Sequence, residues 1–205
     1  MRAAPGAIER VQIAAGGQLL LKTIGDLPPV GICGSGIMDA VSELLRTGII
    51  NRKGVMAEGA PGVGRENDLL HFVLAPPAVT GHGRAVVVTR KDINEIQLAK
   101  AAIRVGVDIL LHEVGASHEE IEEFIVAGAF GTYLDIASTV RTGMFPALPL
   151  ARFKQVGNAA GAGARQMLIS AERRAFAAQR ARQVVYVELT MHPEFARKYM
   201  KALYF

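Results

Sequence analysis

The chain has 205 residues, half of them hydrophobic, and a formal net charge of +4 at neutral pH. A chain of this length can bury a sizeable core, either as one large domain or as two small ones. Its apolar runs fall well short of the ~20 residues that a membrane-spanning helix needs, and its start lacks a signal-peptide pattern. We therefore expect a globular, soluble, cytoplasmic protein without a membrane partner.

The charged residues, the cysteine and the histidines exclude further classes of protein. Acidic and basic residues interleave, and only 173–182 is densely basic, so no nucleic-acid partner is expected. The single cysteine, Cys33, excludes an internal disulfide, a cysteine-based zinc site and an iron–sulfur cluster held by this chain alone. The histidines lack metal-binding spacing, so no metal site is predicted.

The first third of the chain changes from a strand period to a helix period. Residues 8–14 and 18–23 alternate apolar and polar side chains around a glycine pair, which predicts a β-hairpin. From Ser35 the apolar residues follow a helical spacing that stops at Thr47-Gly48. The glycine-rich stretch 51–67 is expected to be a loop or a hairpin turn.

The rest of the chain alternates strands and helices. Thr89 is expected to cap the longest helix, which runs to about Val114 over a sheet, with Asp92 completing a capping box. Further strands are predicted at 69–74, 85–88, 124–127, 154–156 and 184–189, and further helices at 136–141, 159–170, 171–182 and from Pro193 onwards. This mixture of hairpins and β–α crossovers predicts an α/β fold with a mixed sheet flanked by helices.

Two glycine-bearing bends are the most informative feature of the sequence. Val126-Ala127-Gly128-Ala129-Phe130-Gly131 ends an apolar run, and Gly157-Asn158-Ala159-Ala160-Gly161-Ala162-Gly163 opens a predicted helix. A main chain without Cβ atoms can approach a flat ligand, and free helix amides can meet its polar atoms. Nucleotide binding is the leading interpretation, and tight helix-on-sheet packing is the alternative. Packing is favoured for Gly161 and Gly163.

A third glycine-rich segment, Gly31-Ile32-Cys33-Gly34-Ser35-Gly36, precedes the first helix. Ser35 is a candidate cap of that helix, and Gly34 and Ser35 are candidate ligand contacts. The fragment resembles half of a dinucleotide fingerprint, but Pro28-Pro29 argue against the strand that such a site requires. Cys33 is expected to be a small buried apolar residue.

Four motifs in this order resemble those of the reductive activators of corrinoid-dependent proteins. They are GICGSGIMDA at 31–40, RKDINEIQLAK at 90–100, VAGAFG at 126–131 and VGNAAGAG at 156–163. Residues 1–8 and 186–189 are similar to that family too, so the resemblance covers essentially the whole chain. The matching region of these activators is their carboxy-terminal actin-like ATPase (ASKHA) domain, which has a ribonuclease-H-like fold.

The resemblance implies an activity and assigns its parts to different domains of the activator. Such activators couple ATP binding and hydrolysis to delivery of one electron to a cobalt(II) corrinoid, which returns it to cobalt(I). Their ferredoxin-like [2Fe–2S] domain and their two Asp-x-Gly phosphate loops would lie upstream of Met1. Asp26 and Asp135 are not followed by such turns. The chain is thus interpreted as the later part (1–205) of the ATPase domain, with a small lobe at 1–83 and a larger one at 84–205, or with an insertion at 51–83.

The resemblance also implies the site and the partners. ATP or ADP would bind on the adenosine side of the cleft, weakly or only with the missing half, and Mg²⁺ only with the phosphate loops. The nucleotide-binding residues would be Gly128, Ala129, Phe130, Gly131, Gly157, Asn158, Gly34 and Ser35, with no catalytic residue among them. The family commonly has Gly-Gly-Phe-Gly where Ala129 stands, so the extra methyl group is expected to weaken nucleotide binding.

A corrinoid protein and the upstream half of the activator, or a second copy of this chain, are the expected partners. Removal of the other half of an actin-like domain would expose apolar surface, so self-association is predicted. The alternative function is a non-catalytic interaction or dimerisation module that docks to a corrinoid or methyltransferase protein.

Overall fold

The computed structural model describes residues 1–205, which form eight strands and seven α-helices. The strands are β1 (Ala7–Ile13), β2 (Leu19–Thr23), β3 (Gly31–Ile32), β4 (Val63–Glu66), β5 (Leu69–Ala75), β6 (Val86–Thr89), β7 (Phe124–Ala127) and β8 (Phe153–Gly157). The helices are α1 (Gly34–Arg46), α2 (Arg90–Glu113), α3 (Ala129–Tyr133), α4 (Ile136–Arg141), α5 (Ala159–Ile169), α6 (Ala171–Ala181) and α7 (Phe195–Ala202). None of the helices is both long enough and apolar enough to cross a bilayer.

The strands are divided over three small sheets, in the orders β2-β1-β3, β4-β5-β6 and β7-β8. The β1–β2 hairpin is antiparallel as predicted, whereas β3 pairs with β1 in parallel. The β7–β8 pair is also parallel. The expected α/β class with mixed strand directions is therefore confirmed, with its hydrogen bonding split among short sheets.

The larger apolar core joins the first two sheets to α1 and to the start of α2. Ile8, Val41 and Val88 are among its fully buried members. Strand β6 pairs with β5, so the pairing crosses residues 83 and 84. A division into lobes at residue 83 stays a prediction, and it would have to separate these two hydrogen-bonded strands.

The smaller apolar cluster supports β7 and β8. It contains Met38, Val126, Leu134, Met144 and Phe145. Phe124 and Phe153 pack on it from the two strands, and their ring centroids lie 5.2 Å apart. These aromatic contacts hold β7 and β8 together at their first residues. The bends lie at the opposite end of each strand.

Helix α2 begins as the sequence predicts. The Thr89 side chain accepts a hydrogen bond from the Asp92 N–H (3.2 Å), and the Asp92 carboxylate accepts one from the Thr89 N–H (2.8 Å). Along its length α2 packs mainly against α7. For example, the Gln97 side chain donates to the Leu203 carbonyl (2.9 Å). The expected packing over a sheet is limited to its first turns.

Four local predictions are corrected. Residues 184–189 do not form a strand, because their β-branched side chains have no neighbouring strand to pair with and stay exposed. The stretch 51–67 ends in β4, which pairs with β5. A two-residue strand, β3, does precede Gly34 despite Pro28-Pro29. Helix α3 was missed because one turn containing Gly131 has little helical propensity of its own.

Candidate functional site

The two glycine bends lie side by side at the carboxyl ends of β7 and β8. Ala127 is the register partner of Gly157 across the parallel pair. The Gly128 N–H donates a hydrogen bond of 2.6 Å to the Gly157 carbonyl oxygen. Ligands of open parallel sheets bind at this edge, because the strand ends leave backbone groups uncovered there. The structure thus brings the two predicted segments together.

The main chain at these bends is uncovered. Gly128 has φ +98° and Gly157 has φ +64°, which are values that side chains of L-residues seldom adopt. A Cβ atom added at Gly128 would meet nothing within 4 Å. At Gly157 its nearest neighbour would be the Thr132 hydroxyl at 3.8 Å. Both glycines therefore meet a backbone requirement, and the space above them is open.

Gly131 and Gln155 hold the short helix α3 against β7 and β8. A Cβ at Gly131 would lie 2.7 Å from a methyl group of Val126, so this glycine is required by packing. The Gln155 amide donates to the carbonyl oxygens of Gly131 (2.6 Å) and Leu134 (2.9 Å). Gly131 is thus buried beneath the site and shapes it from below. No local sequence pattern indicates the part that Gln155 plays.

A cavity of about 570 Å³ opens beside the first bend and brings four predicted residues together. They are Gly34, Ser35, Ala129 and Phe130. The Phe130 ring lies over Gly34, where a Cβ would come within 2.4 Å of ring atom Cε2. The volume lies within the range of small-molecule sites, and the lining is largely apolar with few polar groups. This combination suits a flat, mostly apolar ring system.

Three residues that the sequence did not indicate also line this cavity. Tyr133, on α3, is half-exposed beside Phe130, and Glu9 and Arg2 supply charged groups. Phe130 and Tyr133 are three residues apart on α3, so both rings lie on one face of the helix. This spacing would have indicated Tyr133 as a site residue if α3 had been predicted. Glu9 is paired with Lys22 at 3.1 Å.

Ser35 does not cap α1, contrary to the sequence-based prediction. The helix begins at Gly34 with Cys33 at the N-cap position and no side-chain cap. The Ser35 hydroxyl instead donates to the Glu9 carbonyl oxygen (3.1 Å). Cys33 is buried, and its thiol donates to the Ile8 carbonyl oxygen (3.3 Å). Both side chains tie the start of α1 to β1, and they form one wall of the cavity.

Asn158 caps helix α5, directly after the second bend. Its side-chain oxygen accepts a hydrogen bond of 2.9 Å from the Gly161 N–H. A Cβ at Gly161 would lie 2.6 Å from the Asn158 side-chain nitrogen, so the glycine leaves room for the cap. Gly163 faces open space, and no residue of α5 is buried. The expected packing of Gly161 and Gly163 against a sheet is therefore wrong.

Asp26 and Asp135, which lack the turn of a phosphate loop, have structural positions. Asp135 caps α4 by accepting a hydrogen bond of 2.7 Å from the Ser138 N–H. Asp26 ends a short 3₁₀ turn with φ +53°. No three His, Cys, Asp or Glu side chains of the chain lie close enough together to hold a metal ion. The residues at the glycine bends offer backbone and aromatic contacts to a ligand.

Comparisons with known proteins agree on one family. The family model described as the C-terminal domain of RACo, the ASKHA domain, matches residues 1–205. The corrinoid activation enzyme RamQ of Eubacterium limosum is 34% identical over 98% of this chain and 35% of its own length. The [Co(II) methylated amine-specific corrinoid protein] reductase of Methanosarcina barkeri is 28% identical over 70% of this chain and 23% of its own length.

A solved structure agrees with the sequence comparisons. The reductive activator for corrinoid, iron–sulfur protein superposes with a TM-score of 0.90 and 38% sequence identity. The match covers 100% of this chain and 33% of that protein. The chain therefore spans about a third of the activator's length.

Proposed function

Because this chain belongs to the family of C-terminal ASKHA domains of the reductive activators of corrinoid proteins, we propose that it supplies the adenosine side of a nucleotide cleft. The whole activator would use ATP to drive one electron onto a cobalt(II) corrinoid, giving cobalt(I). The chain's relatives act in corrinoid activation, which supports a corrinoid protein as the partner. The ATP dependence and the position of the nucleotide are parts of this proposal.

The observation that carries the proposal is the hydrogen bond between the two bends. It places the uncovered backbone of Gly128 next to that of Gly157. The cavity lined by Phe130, Gly34 and Ala129 lies next to the first bend, because Ala129 directly follows Gly128. In the proposed complex, the adenine ring lies along Phe130 and the sugar lies over the bends. The α5 amides next to Asn158 face its polar atoms.

Each site residue has a specific proposed role. Gly128 and Gly157 offer main-chain surface, and Gly34 and Ser35 form the wall opposite Phe130. Gly131 holds α3 in place from beneath. The methyl group of Ala129 stands at the cavity, where it narrows the space for the nucleotide. No residue of this set transfers a proton or attacks a phosphate.

Two groups expected of whole activators do not fit the residues of this chain. A [2Fe–2S] cluster takes four thiolate ligands, and the chain has one cysteine, which is buried. Phosphate-bound Mg²⁺ is held by one or two carboxylates together with the phosphates, and the proposed nucleotide-binding residues include no carboxylate. Electron transfer and γ-phosphate chemistry are therefore assigned to other parts of the activator, and the chain alone is not expected to hydrolyse ATP. A cytoplasmic site of action is part of the proposal.

A specific observation also favours a second candidate function, a docking or dimerisation module. Helices α5 and α6 have no buried residue, and Ile169 and Val185 are 83% and 84% exposed. Consecutive apolar side chains exposed to this degree, such as Val184 and Val185, favour a surface that another protein covers. The two functions differ in one property, because a pure docking module would not bind a nucleotide.

Calorimetric titration with ATP and with ADP distinguishes the two functions. We expect both nucleotides to bind the chain weakly, with similar affinity, because the contacts are to the adenosine. Gly128→Val should abolish binding, since it adds a branched side chain at φ +98° above the bend. Gly163→Ala is the matched control, because this glycine faces open space in α5. Absence of binding at millimolar nucleotide, or equal effects of the two substitutions, would contradict the proposal.

A further inference from the structure

A second cavity, which we call the basic cavity, lies between α2, α7 and the segment that precedes β7. Its volume is about 620 Å³, and it shares no lining residue with the cavity beside Phe130. Its lining includes five cationic side chains and one carboxylate, that of Asp108. The cations are Arg52, Lys100, Arg104, Lys198 and Lys201.

Lys100 forms the floor of this cavity and is 2% exposed. Its ammonium group donates to the Tyr204 carbonyl oxygen and lies 5.2 Å from the centre of the Phe205 ring. A Cβ at Gly143 would come within 3.5 Å of Nζ, so the opposite wall is close. An ammonium group has three donors, and one carbonyl oxygen satisfies one of them.

The charges around Lys100 are not compensated by the carboxylates of the cavity. Burial and the nearby cations Arg104 and Arg52 lower the pKa of Lys100 to about 8. Asp108 is already shared between Arg104 (2.9 Å) and His118 (2.8 Å). Like charges gathered around a desolvated ammonium group are costly, so an anion beside Lys100 would lower the free energy of this arrangement.

The remaining cations have partners that leave them available. Glu194 pairs with Lys198 at 3.0 Å and also contacts Arg197. Arg52 donates to the Phe205 carbonyl oxygen (2.6 Å). Lys201 makes no salt bridge and is exposed at the rim. Arg52, Lys198 and Lys201 thus line the cavity together with Lys100 and Arg104.

We propose that the basic cavity binds a small anion of the phosphate class that carries two or more negative charges. Guanidinium forks and ammonium groups form short, charge-assisted hydrogen bonds with phosphate oxygens. The volume exceeds that of a single phosphate, so a pyrophosphate group or a phosphorylated small molecule fits it better. The anion accepts hydrogen bonds from the free N–H groups of Lys100 and reduces the positive potential around it.

Titration of the chain with inorganic pyrophosphate at pH 8 and constant ionic strength tests this site. Lys201→Ala should weaken binding about tenfold, the value of one lost charged hydrogen bond. Lys91→Ala is the control, because Lys91 is an exposed lysine on α2 that does not line the cavity. Failure of pyrophosphate to bind, or equal weakening by the two substitutions, would overturn the proposal.

The same titration in two buffers of different protonation enthalpy measures proton uptake. An anion raises the pKa of Lys100, so binding near pH 8 should take up a fraction of a proton. Asp108, His112 and His118 also line the cavity, and Glu194 pairs with Lys198, so Lys100→Met is needed to assign the proton to Lys100. Loss of the uptake in that variant is expected, and unchanged uptake would remove Lys100 from the site. If Lys100→Met does not fold, Arg104→Gln takes its place and should halve or abolish the uptake.

A third variant separates this site from the proposed nucleotide cleft. Gly128→Val should abolish ADP binding and leave pyrophosphate binding unchanged. Loss of both ADP binding and pyrophosphate binding would place pyrophosphate in the cleft and contradict the proposed anion site in the basic cavity. If the variant still binds both ligands, the proposed function is contradicted and the anion site in the basic cavity remains supported.

Discussion

The hydrogen bond of 2.6 Å from the Gly128 N–H to the Gly157 carbonyl oxygen joins two loops that are 29 residues apart in sequence. It forms because β7 and β8 are parallel neighbours and both chains bend at the same edge. The positive φ of each glycine turns the main chain aside from the strand direction. The uncovered surface of the site follows from this one relationship.

Gly157→Ala should destabilise the chain by about 1–2 kcal/mol. The cost comes from the left-handed backbone alone, because a Cβ at this position would have its nearest neighbour at 3.8 Å. Gly163→Ala, in the interior of α5, should stabilise by about 0.5–1 kcal/mol. Urea unfolding of both variants measures the difference. Equal free energies of unfolding of the Gly157→Ala and Gly163→Ala variants would show that Gly157 does not need its positive φ.

Phe130→Ala should weaken ADP binding several-fold with little effect on stability. The ring is 51% exposed and forms one wall of the cavity, so its loss removes ligand contact more than core packing. Phe176→Ala is the control, since that ring is 52% exposed on α6. Calorimetry with ADP compares the two. An unaffected Phe130→Ala variant would remove the ring from the adenosine site.

Glu43→Gln should destabilise the chain by about 1–3 kcal/mol at neutral pH. The buried carboxylate of Glu43 accepts hydrogen bonds from Arg46 (2.7 and 2.9 Å) and from the Ile13 N–H (2.8 Å). It also pairs with Arg141 of α4 at 3.3 Å. Urea unfolding at pH 7 measures the loss, with the exposed Glu95→Gln as control.

The same contact predicts how stability depends on pH. The hydrogen bonds from Arg46 hold the pKa of Glu43 below its ordinary value of 4.5. The folded state thus binds fewer protons than the unfolded state, so this contribution is complete above pH 4.5 and is lost as the pH falls through the folded pKa. The difference between Glu43→Gln and wild type should shrink in that window, and a difference that stays constant would exclude the ion pair as its cause.

We predict that the chain self-associates through the apolar side chains exposed on α5 and after α6. Lysine at both Ile169 and Val185 should convert a dimer or larger assembly into a monomer, because each removes an exposed apolar side chain from the surface. Leu69→Lys, at another exposed apolar position, serves as the control. Sedimentation velocity reports the masses. A wild-type chain that sediments as a monodisperse monomer would refute the prediction.

Local sequence patterns predicted most of the elements. The capping box of Thr89 and Asp92, the strand at 124–127 and the helix at 136–141 were each found as predicted. These elements depend on periodicity and caps that a short window contains. The strand expected at 184–189 failed because pairing requires a neighbour, which a local pattern does not supply.

The site was predicted less completely, because its shape depends on contacts between distant segments. The sequence indicated Gly34 and Phe130 separately, but not that the ring lies on the glycine. Gln155 anchors α3 through carbonyl oxygens, and an exposed-looking glutamine carries no such signal. The basic cavity was missed for the same reason, since Arg52, Lys100 and Lys201 are far apart in sequence.

The most direct test of the central claim is the amide spectrum of the chain labelled with ¹⁵N-glycine, recorded with and without ADP. The chain has 22 glycines, which gives a spectrum that can be assigned by single substitutions. We predict that the resonances of Gly128 and Gly157 shift together as ADP is added, while those of Gly16 and Gly59, which face open space, stay in place. Unmoved resonances at both bends in the presence of saturating ADP, or shifts confined to glycines elsewhere, would contradict the account.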